Sequence, residues 1–174
     1  KKLKKIYKKN KNNDLLRFNL AVIEQSLNLN EDAKQNYKFL IEKKNNVKAM
    51  VNLYLLYIKE DDFTNALIFV NKVIDTQNTI DRVIKDKAFI LYKLKQYDES
   101  IKICKKFIKK NNDIEFLNII GLNYFAKKQI KSAEHVFKEA LLIDQNNPII
   151  LNSLGRLYHE KRDSLNAEKY LTKA

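Results

Sequence analysis

With 2 glycines and 1 proline in 174 residues, the chain has too little of either to punctuate a β-protein with tight turns or to build a glycine-rich phosphate loop. A single cysteine, Cys104, excludes an internal disulfide and fits a reducing compartment, so a cytoplasmic location is expected. No stretch of about 18 apolar residues occurs, which excludes a membrane-spanning helix. The opening KKLKKIYKKNKNN is basic but has no apolar centre of the kind a secretory signal requires. Leu, Ile, Lys, Glu and Ala are abundant, and all suit helices, so an all-α protein follows.

The formal net charge is +13, which raises the question of an anionic partner. Residues 1–13 hold seven lysines and no acid, leaving 27 basic against 21 acidic residues in the rest. The basic set is 30 Lys to 4 Arg, beside 21 Asn. Arginine reads phosphates and bases in bidentate fashion, and it is scarce here. Most of the charge therefore reads as solvated surface, and nucleic acid is disfavoured as a partner.

One pattern returns every 33 or 34 residues. Small residues recur at Ala33, Ala66, Ser100, Ala133 and Ala167. Four residues after them stand Tyr37, Val70, Cys104, Phe137 and Leu171, at the spacing of one helix face. A second register runs upstream through Ala21, Tyr54, Ala88, Gly121 and Gly155. Each repeat thus reads as two amphipathic helices separated by polar breaks such as NLNED, KEDD, KKQ and EKRD. The small residues let the two backbones approach closely. Neither helix can bury its apolar face alone, so repeats must stack. Five are expected, over 14–46, 47–80, 81–113, 114–147 and 148–174, the last incomplete. KKLKKIYKK reads as the tail of a preceding second helix, and the chain as part of a longer array.

The stretch LNIIGLNYFAKKQIKSAEHVFKEALLIDQNNP, with Leu117, Ile120, Gly121, Tyr124, Ala133, Phe137 and Ala140 in place, resembles the tetratricopeptide repeat (TPR) family. LNSLGRLYHEKRDSLNAEKYLTKA repeats it with Leu151, Leu154, Gly155, Tyr158, Ala167 and Ala174. Arg17, Glu24, Lys87 and Tyr54 depart from that pattern in the earlier repeats. The resemblance implies a right-handed superhelical solenoid of antiparallel helix pairs that binds other proteins.

It also implies that the first helix of each pair lines a concave groove. By register the groove side carries Phe18, Val22 and Gln25, then Lys48, Val51, Leu55 and Ile58. It continues through Arg82, Lys85, Phe89 and Tyr92, then Glu115, Asn118, Leu122 and Phe125, and finally Ile149, Asn152, Arg156 and His159. Family members that hold chaperone tails use a Lys and Asn clamp, which is missing here because Phe18 and Val22 occupy those places. Val51, Leu55, Phe89, Tyr92, Leu122 and Phe125 are expected to hold a helix or extended peptide, with Lys48, Arg82 and Lys85 drawing its acids. Two other readings stand open: curvature buries this stripe between first helices, or a missing end of the array fills it.

Groups for catalysis do not converge. Cys104 falls on a buried stripe and reads as a small hydrophobe. His135 lies on a solvated face, and His159 lies near Arg156. Two His and one Cys in unrelated registers make no metal set, so no metal or cofactor is expected, nor an enzyme. Glu31 with Asp32, and Glu60 with Asp61 and Asp62, read as helix caps. The lysines at 102, 105, 106, 109 and 110 leave an anionic ligand as the alternative partner.

Overall fold

The computed structural model describes residues 13–76, 80–108 and 113–174, which form ten helices and no strand. In order these are α1 (Asp14–Ser26), α2 (Asn30–Lys44), α3 (Val47–Lys59), α4 (Phe63–Asp75), α5 (Asp81–Lys93), α6 (Tyr97–Ile108), α7 (Ile114–Ala126), α8 (Ile130–Ile143), α9 (Pro148–Glu160) and α10 (Ser164–Lys173). The helix tail expected over residues 1–13 lies outside the described residues except for Asn13, as do Lys109 and Lys110.

Asparagine has a structural role that composition alone hid. The side chains of Asn13, Asn46 and Asn147 accept from the amides of Leu16, Ala49 and Ile150 at 3.0, 3.0 and 3.3 Å, each opening a first helix. Asp62, Asp113 and Asp163 cap α4, α7 and α10 in the same way. Each such cap satisfies a helix-terminal N–H and contributes about 1 kcal/mol. Of the acids expected to cap, Asp62 does so, whereas α2 begins without a side-chain cap and holds Glu31 and Asp32 in its first turn.

The turn inside every pair is built the same way without glycine. Asn28, Asp61, Lys95, Lys128 and Arg162 adopt φ between 57° and 61°. In each case the next residue's amide reaches back to a carbonyl in the last helical turn: Leu29 to Glu24, Asp62 to Tyr57, Gln96 to Leu91, Gln129 to Tyr124 and Asp163 to Tyr158, at 2.8 to 3.0 Å. This is the closure that ends helices at a left-handed residue. Such a short turn returns the second helix antiparallel to the first.

The chain divides into two compact units, Lys1–Thr79 with α1–α4 and Ile80–Ala174 with α5–α10. In the first, α1 packs on α2, α2 on α3 and α3 on α4. Its core includes Ala33, Tyr37, Leu40, Met50, Leu53, Ala66 and Val70, all at most 1% exposed. The departures Arg17 and Glu24 are absorbed by a polar network. The Arg17 guanidinium lies 3.6 Å from the Phe39 ring centroid and donates to Asn36 Oδ1, and Asn36 Nδ2 donates to the buried Glu24 at 2.8 Å. A buried carboxylate persists only when hydrogen-bonded in this manner. Tyr54, where the pattern has a small residue, is buried as well.

In the second unit each helix packs on the next, and the first helices also meet, α5 with α7 and α7 with α9. Gly121 faces Phe137, and Gly155 faces Leu171. Ser100, the one hydroxyl in the small-residue register, donates to Ala88 O at 2.8 Å and accepts from Asn123 Nδ2 at 2.9 Å, so a buried polar pair joins α5, α6 and α7.

Candidate functional site

The first helices of the second unit bring their N-terminal ends to a cleft of about 470 Å³, lined by Lys85 of α5, Ile114, Glu115, Asn118 and Ile119 of α7, and Ile149 and Ile150 of α9. Ile149 stands 60% exposed. Lys85 does not stand ready for a partner's acids. Its Nζ lies 2.7 Å from both Asp113 Oδ2 and Glu115 Oε2. Burial pushes its pKa down, but the two carboxylates outweigh burial and hold the ammonium above its ordinary value. The rim of the cleft therefore carries one lysine against two acids. Asn118 Oδ1 accepts from Ser153 Oγ at 3.2 Å, which ties α7 to α9.

Farther along these helices, Phe89, Tyr92, Leu122 and Phe125 are half-buried, neither sealed in the core nor freely exposed. Phe89 and Tyr92 lie 6.5 Å apart between ring centroids, and Tyr92 packs in turn on Tyr97 at 6.1 Å. Arg82 is exposed and pairs with Asp86 one turn on, and Arg156 is exposed on α9. In the first unit, Lys48 is exposed and Val51 and Leu55 are half-buried on α3. Beside them Asn52 Nδ2 donates to Tyr37 OH, which donates to Gln25 Oε1 at 2.9 Å.

A second cleft, of about 500 Å³, was not visible in the periodicity. It lies between α6 and α8 over α7 and is lined in part by Lys105, Ile120, Tyr124, Lys131, Ser132 and His135. His135, which the sequence placed on a solvated face, sits on its wall. The one signal of it in the sequence is that Ile101 stands 33 positions before Glu134, in the same place of the repeat.

Cys104 is fully buried, and burial pushes its thiol pKa up to about 12, so it is no nucleophile at neutral pH. Among the described residues no three of His, Cys, Asp and Glu could hold a metal ion, and no helix is long and apolar enough to cross a membrane.

A family model described as tetratricopeptide repeat matches residues 114–147 and 149–174. Over 55 residues the sequence is 36% identical to the anaphase-promoting complex subunit CDC16 of Saccharomyces cerevisiae, covering 32% of this chain and 6% of that protein. In fold the chain is similar to a tetratricopeptide repeat protein from Parabacteroides merdae, with a TM-score of 0.88 at 16% identity over 98% of this chain and 69% of that one. By the family-model match the chain carries two tetratricopeptide repeats, in residues 114–147 and 149–174. Its fold is an all-α repeat solenoid, also similar to MamA (41-end) from Desulfovibrio magneticus RS-1, with a TM-score of 0.76 at 19% identity over 92% of both chains. YrrB, described as a TPR protein with an unusual peptide-binding site, gives a TM-score of 0.70 at 19% identity over 99% of this chain and 90% of that one. The family model matches the repeats that hold Gly121 and Gly155, where a glycine admits the large side chain of the second helix.

Proposed function

We propose that this chain is a protein-interaction scaffold that binds a peptide or helical segment of a partner along its first helices. The observation that carries this reading is the half-buried apolar set on those helices, Leu122 and Phe125 above all, beside a cleft in which Ile149 is largely exposed. Half-buried apolar side chains give up contact with water when a partner covers them, at about 25 cal/mol per Å². Stacked repeats concentrate such side chains on extended faces. Within the second unit Phe89 and Tyr92 supply further apolar contact, Asn118 a polar anchor, and Arg82 and Arg156 rim charges; the first unit by itself offers Val51 and Leu55 with Lys48 on α3. Lys85 shapes the cleft through Asp113 and Glu115 and leaves Glu115, whose side chain is 68% exposed, as the group presented there. The partner segment in the second unit's cleft is therefore expected to be apolar with a basic residue, whereas the sequence alone pointed to acids.

The test is capture of partners from lysate of the source cells by wild-type protein and by Leu55→Glu plus Leu122→Glu, with helix content checked by circular dichroism. Loss of partners from a folded double variant supports the reading. Retention of all of them overturns it.

A further inference from the structure

The repeats of the second unit can be compared residue by residue, 33 or 34 positions apart. At the later junction Glu134 gathers three donors. Tyr158 OH donates to its Oε1 at 2.7 Å, Lys138 Nζ to the same oxygen at 2.7 Å, and Lys161 Nζ to Oε2 at 2.8 Å. One repeat earlier, Lys105 takes the place of Lys138, Tyr124 that of Tyr158 and Lys127 that of Lys161, but Ile101 stands where Glu134 stands. Without that carboxylate, Lys105 Nζ donates to Tyr124 OH at 3.0 Å and lies 5.6 Å from the Tyr124 ring centroid, and Lys127 turns to Asp98.

The Lys105–Tyr124 pair opens on the cleft of about 500 Å³ between α6 and α8. Across it stand Lys131, Ser132 and His135, and its one acid is Glu139. Among the described residues neither Lys105 nor Lys131 has a carboxylate within ion-pair distance, in contrast to Lys127, Lys128, Lys138 and Lys161 of the same unit. The apolar part of its lining is Ile108, Leu117, Ile120 and Val136.

The geometry points to a second binding site here, for an acidic, leucine-bearing peptide segment of a partner protein. One side-chain carboxylate of that segment lands between Lys105 and Tyr124, as the chain's own Glu134 does one repeat on. A second acid faces Lys131 and His135, and an aliphatic side chain covers the apolar lining. The apolar lining favours a peptide over a bare anion, because charge–charge contacts at an open rim supply specificity and association rate more than affinity. This site is separate from the first-helix groove and stands or falls without it.

The probe is a short fluorescein-labelled peptide of alternating leucine and glutamate pairs, followed by fluorescence anisotropy at fixed salt. Lys105→Glu plus Lys131→Glu is expected to weaken binding at least tenfold. Lys43→Glu plus Lys44→Glu, which changes net charge equally at exposed positions elsewhere, is expected to change it less than threefold. Ser132→Trp fills the cleft from an exposed position and is expected to abolish binding. Ile101→Glu rebuilds the internal carboxylate and is expected to compete with the peptide. If Ile101→Glu does not fold, the Ser132→Trp arm decides in its place. Equal losses from the two charge reversals, unchanged binding by Ser132→Trp, or equally tight binding of a leucine-free glutamate peptide or of phosphatidylserine vesicles would each overturn the proposal.

Discussion

The ring of Phe137 on α8 fills the space in which a β-carbon on Gly121 of α7 would stand, with Cδ1 2.7 Å and Cζ 2.8 Å from that position. Phe137 is fully buried, so the ring has no solvent to swing into. Gly121→Ala gains about 1 kcal/mol of helix propensity, but displacing a packed ring costs more, about 1–3 kcal/mol. Urea unfolding should therefore show a net loss, and a larger one for Gly121→Leu. Adding Phe137→Leu to Gly121→Ala should recover part of it, whereas strictly additive losses would mean the two side chains do not oppose each other. Gly155→Ala should be milder, because Leu171, which meets it, is 45% exposed and can move.

Glu134 is held by Lys138, then by Lys161, and with help from Tyr158 its pKa falls to about 2 despite partial burial. The folded-state value lies below the ordinary one of 4.5. Its contribution is thus present above the ordinary carboxylate range and lost as pH falls toward 2. Glu134→Gln should lower stability at pH 7 by roughly 1 kcal/mol. The gap between variant and wild-type melting temperatures should close progressively below pH 4.5. A gap independent of pH over that range would show that the carboxylate's charge is not what holds α8 to α9.

Ser100→Ala removes the hydroxyl that accepts from the fully buried Asn123. Asn123 keeps its bond to Ile119 O at 2.7 Å but loses the contact that carries it across to α6. A stranded buried polar group costs about 1–3 kcal/mol. In a double-mutant cycle, Ser100→Ala with Asn123→Leu should lose less than the sum of the single variants. Additivity in equilibrium unfolding would rule out the coupling.

Lys95 holds φ at 61° in the turn between α5 and α6, where a β-carbon is unfavourable. Lys95→Gly relieves that cost, partly offset by glycine's greater freedom in the unfolded chain, for a net gain of about 0.5 kcal/mol. The melting temperature should rise for Lys95→Gly and not for Lys95→Ala. An equal rise for both would trace the gain to the lysine charge.

The helix pairs could be read from the chain because two small residues and an apolar stripe recur at helical spacing, and close packing tolerates few substitutes there. The turns were harder to read. Glycine scarcity suggested that few special turns existed, yet Asn28, Asp61, Lys95, Lys128 and Arg162 accept left-handed backbone in one recurring closure. The cost of a positive φ at each is met by hydrogen bonds that only the folded pair makes.

Sequence by itself determined the all-α class, the repeat, the helix faces and the burial of Cys104, since each follows from local spacing and from the need to hide apolar surface. Which charges remain available was decided by the tertiary structure. Lys85 looked like an acid-seeking cation along the chain, and only folding brought Asp113 and Glu115 of the next repeat to 2.7 Å from it. Lys105 looked like one of several solvated lysines, and only the packing of α6 on α7 set it on Tyr124 without the carboxylate that Glu134 provides one repeat later. Ion pairing depends on distances of a few ångströms between residues far apart in sequence, and periodicity does not specify those.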